Sequence, residues 1–229
     1  MKYLTTTVLF LFAMACVAHA DVLSDRATLD SILGSGAVTE DFESFQIDNG
    51  NAVVELGSNY ILNSSTIYQG QGPGLVIDGV NFIGETGIQW NGKDWFGQNS
   101  RNILSAYSGN PPATLYIDFL NPTNALGLDF SAFTGYPDVA DINVYGPDKT
   151  SLLYSGSVSV PGSTPVFWGF FDSSGIGKVA LDSRSYAWGA IIDNVEFGAA
   201  TTTAPEPVST TLFLLGGATL AVRRLRRKK

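Results

Sequence analysis

Residues 114–120 read TLYIDFL, and this stretch indicates the fold class of the chain. Its apolar residues fall on every second position, which is the period of a β-strand that buries one face. The same period returns in ALGLDF (residues 125–130) and in DINVYG (residues 141–146). Repeated alternation over short runs predicts strands, because a helix would repeat its apolar residues every three or four positions.

Segments rich in turn-forming residues separate these runs. They are NPTN (residues 121–124), GPDK (146–149), VPGST (160–164) and DSSG (172–175). Proline, glycine, asparagine, aspartate and serine favour turns, so each segment predicts a break between two strands. Short strands punctuated in this way are typical of an antiparallel β-sandwich or jelly roll. The sequence therefore predicts a single all-β domain over residues 21–197.

One early segment has a helical period instead. In SDRATLDSILGSG (residues 24–36), apolar residues recur at helical spacing. Ser24 can cap the first turn, and Gly34 can end the last one. We expect one short helix before the main run of strands.

The charge of the domain excludes some partners. Between residues 21 and 204 the chain has 20 acidic residues and six basic ones. Such a surface repels nucleic acid and anionic lipid, so we expect no nucleic-acid partner. It is suited to solubility or to binding cations.

Residues 1–20 have the pattern of a signal peptide. Lys2 precedes an apolar run over about residues 8–17, and small residues stand where a peptidase would cut before Asp21. Lipidation of Cys16 is an alternative, but no leucine stands three positions before it. Ordinary cleavage is therefore favoured.

Cleavage before Asp21 has a chemical consequence. It removes Cys16 and His19, the chain's single cysteine and single histidine. A mature chain without them has no disulfide, thiolate nucleophile, Ser-His-Asp triad, or zinc site built from these residues.

The other end of the chain has three parts. Pro205, Glu206 and Pro207 follow a small linker at residues 198–204, and residues 208–222 are apolar or small. The last seven residues are mostly basic: Arg223, Arg224, Arg226, Arg227, Lys228 and Lys229. The apolar run predicts a short transmembrane helix, and the basic residues predict a cytoplasmic end. A permanent tail anchor is the simpler interpretation.

This order of parts in residues 205–229 resembles the PEP-CTERM sorting signal. In that family an exosortase recognises the Pro-Glu-Pro tripeptide, removes the tail, and releases the protein or transfers it to the cell envelope. The resemblance implies an exosortase-type partner and an inner-membrane intermediate with a cytoplasmic C-terminus. It also implies a final location in the envelope or extracellular matrix of a Gram-negative bacterium.

Carboxylates near both ends of the domain suggest a cation site. In AIIDNVEF (residues 190–197), strand alternation places Asp193 on the same face as Ile191, Val195 and Phe197. A charged group among apolar side chains needs a partner, and Ca²⁺ prefers oxygen ligands. The alternative is that Asp193 caps a turn or accepts backbone amides.

A second acidic segment lies near the start of the domain, in TEDFESF (residues 39–45). If the first and last strands are neighbours, Glu40 or Glu43 meets Asp193. DFE at the start and IDNV at the end resemble the terminal strands of carbohydrate-binding-module-like sandwiches. That resemblance implies a structural calcium held by such a pair.

Aromatic residues suggest a second kind of site. GKDWFGQNSRN (residues 92–102) has no clear period and contains Trp95 and Phe96, with Trp90 just before it. Aromatic rings stack on the apolar face of a pyranose, so these three residues are candidate polysaccharide contacts. Burial of the tryptophans in the core is the favoured alternative.

The sequence therefore predicts an exported envelope or matrix protein with a structural or interaction role. A glycan-binding module is the alternative interpretation. A glycosidase is a third, because it needs only two carboxylates at a defined separation. We expect no enzymatic activity, since no catalytic motif stands out.

Overall fold

A computed structural model describes residues 20–47, 52–68, 70–105, 114–184 and 190–200. Within these ranges, the strands form one curled antiparallel sheet, and one α-helix packs beside it. The predicted all-β sandwich with a short N-terminal helix is confirmed. The predicted signal peptide and C-terminal membrane helix lie outside the described residues. No helix in the described ranges has both the length and the apolar character that a membrane span needs.

The elements follow in chain order. They are β1 (Ala20–Leu23), α1 (Arg26–Leu33), β2 (Val38–Glu40), β3 (Ala52–Leu56), β4 (Ile61–Leu62), β5 (Val80–Gly84), β6 (Ile88–Asn91), β7 (Asn102–Ser105), β8 (Leu115–Ser131), β9 (Asp138–Tyr145), β10 (Leu152–Val160), β11 (Val166–Ser183) and β12 (Ile191–Gly198). The sheet has the order β10-β9-β11-β8-β12-β7-β6-β3. Strand β1 pairs with β11, β2 with β12, and β5 with both β4 and β8.

Two predicted turns are wrong. NPTN (residues 121–124) lies inside β8, and DSSG (residues 172–175) lies inside β11. The β8–β11 register shifts where these two segments meet, so both strands continue through an irregular bend. Bulges use the same proline and glycine residues as turns do, and Gly175 has a φ of 101°. GPDK and VPGST do separate strands, as predicted.

The bend divides the β8–β11 ladder into two halves. In the tyrosine half, residues 115–118 of β8 pair with residues 178–181 of β11. In the helix half, residues 125–130 of β8 pair with residues 166–171 of β11. The apolar positions of β8 are odd-numbered in the first half and even-numbered in the second. Both sets pack into one core: Leu115, Ile117, Phe119, Leu126, Leu128 and Phe130.

Helix α1 covers the outer side of the helix half. Its N-terminal cap is Asp25, whose carboxylate accepts the amide of Thr28. The prediction that Ser24 caps the helix is therefore wrong, whereas Gly34 ends it as predicted. Leu29 is fully buried against Gly127 of β8, where an added Cβ would overlap the leucine side chain. This glycine allows the helix to approach the sheet closely.

Strand β12 lies in the middle of the sheet, between β8 and β7. Its register shifts at Asn194, which has a φ of 48°. This bulge brings Ile192, Val195 and Phe197 together in the main core. The prediction that Asp193 shares a face with Val195 and Phe197 is therefore wrong, because the extra residue reverses the alternation.

Candidate functional site

Trp90 is a core residue. Its ring is 1% exposed, and its indole N–H donates a hydrogen bond of 3.1 Å to the carbonyl of Phe42. It packs against the rings of Phe42 and Phe45. The prediction that Trp90 contacts a polysaccharide is wrong, because an enclosed ring has no face to offer to a sugar.

Trp95 and Phe96 lie in a short 3-10 helix, Trp95–Gly97. The Trp95 side chain is half-buried and packs against Phe133 and Ile191. The side chain of Phe96 lies outside the described part of the structure. A polysaccharide contact at these two residues stays a prediction.

The predicted calcium ligands have partners within the protein. Glu40 is 2% exposed, and its two carboxylate oxygens accept the amides of Phe42 (2.7 Å) and Ile77 (2.8 Å). Burial raises the pKa of Glu40 above its ordinary value, although the two amides oppose this rise. Glu43 accepts the backbone amide of Arg101 at 2.8 Å and pairs with its guanidinium at 2.6 Å.

Asp193 is the third predicted ligand. Its carboxylate accepts hydrogen bonds from the hydroxyl of Ser100 and the amide of Asn194. Burial raises the pKa of Asp193 to about 6, although these two hydrogen bonds oppose the rise. Strand β2 does pair with β12, but no group of three or more acidic side chains in the described ranges forms a metal site. Calcium binding stays a prediction, and the observed amide and guanidinium partners do not favour it.

The described apolar pocket lies in the core. It is lined by Phe45, Leu56, Leu62, Thr66, Tyr68, Leu75 and Trp90, and it has no room for a water molecule. Small-molecule sites usually enclose more than about 300 Å³. An open surface is therefore a better candidate than this pocket.

Such a surface lies on the tyrosine half, on the side that faces away from the core. Two rows of side chains cross strands β5, β8, β11, β9 and β10 in direct cross-strand pairs. The first row is Ile83, Tyr116, Ala180, Asn143 and Ser155, and the second is Asn81, Asp118, Lys178, Tyr145 and Leu152. We call these two rows the outer face. Most of them alternate with buried residues along their strands, which explains why they point outward, whereas Ala180 is itself buried.

Lys178 occupies the centre of the outer face. Its ammonium nitrogen lies 4.6 Å from the ring centroid of Tyr145 and 5.6 Å from that of Tyr116. Both distances allow cation–π attraction, which holds the ammonium between the two rings. The result is a charged centre between two aromatic rings.

Two ion pairs border this centre. Lys149 pairs with Asp118 at 2.7 Å, and Arg184 pairs with Asp141 at 2.6 Å. Three of the six basic residues between positions 21 and 204 therefore lie on or beside the outer face. Two of these three cations are neutralised by carboxylates, which leaves Lys178 as the one without a carboxylate partner among the described residues.

Asp182 lies on the same side of strand β11, four residues beyond Lys178. One of its carboxylate oxygens is buried and has no hydrogen-bond partner among the described residues. Four residues of strand span about 13 Å. Burial raises the pKa of the nearby Tyr116 phenol, and the charges of Glu85 and Asp182 add to this rise. The outer face thus has a cationic centre and an acidic end.

Sequence reasoning did not identify the outer face. Tyr116, Tyr145 and Lys178 lie on three strands, and only the register brings them together. One signal was available: Tyr116 and Tyr145 occupy the positions that alternate with the apolar, core-facing residues of their strands. An aromatic residue at such a position points away from the core.

The chain matches no protein-family model and no curated protein. Among solved structures, an exo-β-agarase aligns over 76% of this chain and 26% of its own, with 14% identity and a TM-score of 0.41. An isomalto-dextranase from Arthrobacter globiformis T6, complexed with panose, aligns over 79% of this chain and 32% of its own, with 13% identity and a TM-score of 0.38. This chain thus spans about a third or less of each enzyme.

Carbohydrate-binding modules are also among the structures that this chain resembles. A family 35 carbohydrate-binding module from Cellvibrio japonicus aligns over 74% of this chain and 98% of its own. The two share 14% identity, with a TM-score of 0.34.

Proposed function

We propose that the described domain is a glycan-binding module that contacts its ligand through the outer face. The observation that carries this proposal is the pair of half-buried tyrosines beside Lys178 on the outer face. A sugar ring offers an apolar face to an aromatic ring and hydroxyl groups to polar side chains. The outer face offers both kinds of partner.

The polar residues of the outer face support this proposal. Asn143 and Ser155 follow Ala180 in the first row, and Asn81 begins the second row. Amide side chains both donate and accept hydrogen bonds, and a sugar hydroxyl requires both. Because the strands fix these positions, binding requires little ordering of the surface.

Binding is better supported than hydrolysis at this surface. A glycosidase needs one carboxylate as an acid and a second as a nucleophile or base. On the outer face Asp118 is paired with Lys149, and beside it Asp141 is paired with Arg184. Ion pairing stabilises the charged form of a carboxylate, which opposes a role as a proton donor.

The proposal extends to the location of the protein. Residues 205–229 support export and exosortase-type sorting to the cell envelope or matrix, where a glycan-binding module would meet polysaccharide. The test is the intact mass of the protein from its host's envelope. A mass from Asp21 to about Pro205 supports sorting, and a mass that includes Lys229 contradicts it.

Glycan binding is tested with the purified protein on an array of polysaccharides. We expect Tyr145→Ala to weaken binding about tenfold, which corresponds to about 1.4 kcal/mol of lost ring contact. Tyr136→Ala is the matched control, because Tyr136 is 69% exposed in the β8–β9 connection and lies outside the outer face. Equal binding by the two variants, or no binding by the unmodified protein, would contradict the proposal.

A further inference from the structure

We propose that the ligand of the outer face is an acidic polysaccharide, whose carboxylate or sulfate group binds the ammonium of Lys178. This inference rests on the proposed glycan-binding function and specifies the chemical class of the glycan. It follows from the charges around Lys178, which distinguish this lysine from the other cations of the domain.

The other cations near carboxylates are already paired. Arg26, Arg101, Lys149 and Arg184 each contact a carboxylate oxygen at 2.6–2.9 Å. Lys93 is exposed in the connection after β6. Lys178 has aromatic rings as its neighbours and no carboxylate partner among the described residues. Its charge is therefore available to an external anion.

The carboxylate that would otherwise pair with Lys178 is occupied. Asp118 lies directly opposite Lys178 across the β8–β11 ladder, where opposite charges usually attract. However, Asp118 pairs with Lys149, which reaches it from the β9–β10 turn. Because Lys149 compensates this carboxylate, an incoming anion meets less repulsion at Lys178.

Glu85 and Asp182 both act on the Tyr116 phenol, and distance limits the effect of Asp182 at Lys178. Asp182 lies about 13 Å along the strand from Lys178. Charges on the surface are largely screened beyond about 8–10 Å at physiological salt. An anion at Lys178 is thus attracted by a close cation and only weakly repelled by Asp182.

The tyrosines prepare Lys178 for this role. Contact with two rings restricts a side chain that is otherwise flexible, so binding costs less conformational entropy. The ring faces attract the positive charge but accept no strong hydrogen bond, which leaves N–H donors for a ligand oxygen. A sugar ring on Tyr145 or Tyr116 would place an attached acidic group near the ammonium.

The test compares polymers that differ in charge alone. Binding by the purified protein is measured for polygalacturonate, its carboxyl-reduced form, dextran sulfate and dextran. We expect at least one acidic polymer to bind about tenfold more tightly than its neutral counterpart. This preference should decrease as sodium chloride is added, because salt screens an exposed charge.

Lys178→Gln should remove most of the preference for the acidic polymer, and Lys93→Gln is the matched control and should keep it. Thermal unfolding of both variants shows that the domain is still folded. A preference for polygalacturonate identifies a carboxylate ligand, and a preference for dextran sulfate identifies a sulfate ligand.

Three other outcomes overturn the inference. If neutral and acidic polymers bind alike, or Lys178→Gln weakens both equally, the charge proposal fails and glycan binding stands. If no polysaccharide binds in this set or on the array, both proposals fail.

Discussion

The two halves of the β8–β11 ladder both hold a cation against an aromatic ring. In the helix half, Arg26 lies 5.0 Å from the ring of Phe167, and in the tyrosine half, Lys178 lies 4.6 Å from the ring of Tyr145. Arg26 also bonds to Asp129 and Glu196, each at 2.9 Å. The cation of the helix half thus has both an aromatic ring and carboxylate partners. The cation of the tyrosine half has aromatic rings but no carboxylate partner among the described residues.

The two halves also differ in what covers them. Helix α1 places Leu29 against Gly127 and Ala125 of the helix half, and these residues are buried together. On the tyrosine half, Tyr116, Tyr145 and Lys178 are half-buried, and no described helix packs over them. The first arrangement stabilises the fold, and the second is the surface to which we assign the proposed ligand.

The largest expected effect is on the helix half. Leu29→Ala should reduce the free energy of unfolding by about 2–4 kcal/mol, because it removes a fully buried side chain and leaves a cavity. Urea titration measures the change. Leu120→Ala is the matched control at a 58% exposed position in the bend, and its effect should be within about 0.5 kcal/mol. Equal effects would mean that α1 does not stabilise the sheet.

The next effect concerns Asp193, which faces Asp129 across the ladder between β12 and β8. Its pKa is raised to about 6, so the folded state favours the protonated form. The stability that this gives is fully present below the unfolded pKa of about 3.9 and is lost as the pH rises through about 6. The variant Asp193→Asn has no carboxyl group at this position, so this pH-dependent loss of stability is absent from it.

The measurement is a pair of urea titrations of each protein, at pH 4 and at pH 7.5. Between these values, the stability of the variant relative to the unmodified protein should rise by about 2–3 kcal/mol. Glu40 and Glu196 also have raised pKa values, but they are present in both proteins and cancel in the difference. Parallel pH dependence of the two proteins would show that Asp193 is not the group responsible.

The smallest expected changes in stability come from removing each of the two cations. Arg26→Gln should cost about 2 kcal/mol of stability, because it leaves Glu196 and Asp129 without their positive partner. Lys178→Gln should cost only about 0.5 kcal/mol, the value of an exposed cation–π contact. Denaturant unfolding of the two variants provides the comparison. A cost for Lys178→Gln as large as that for Arg26→Gln would make Lys178 a structural residue.

Much of the fold follows from alternation, and the exceptions have a common physical cause. The apolar positions of residues 114–120 predicted a strand, and helical spacing with Gly34 predicted α1. The bend at residues 121–124 and the bulge at Asn194 were not predicted. Residues that favour turns also favour bulges, and only the partner strand decides between the two.

The site was less predictable than the fold. Trp90 was chosen because it is aromatic, but its even spacing with Ile88 places both residues in the core. Lys178 has no local pattern, since its neighbours Tyr116 and Tyr145 come from other strands. Alternation along one strand predicts which side of the sheet a residue faces. The register between strands determines which residues of other strands lie next to it.

The central position of β12 has a consequence for the order of folding. Ile192 pairs with β7 and Val195 pairs with β2, and both are fully buried, yet they lie near the end of the described domain. Among the described residues, the strands β7, β6 and β3 therefore connect to β8 in the sheet through β12, the last strand in chain order. Sheets that depend on pairings between residues far apart in the chain fold slowly, and their strand edges stay unpaired and exposed until the last strand is in place. We expect a chain stopped before residue 191 to remain incompletely folded and to need protection from aggregation.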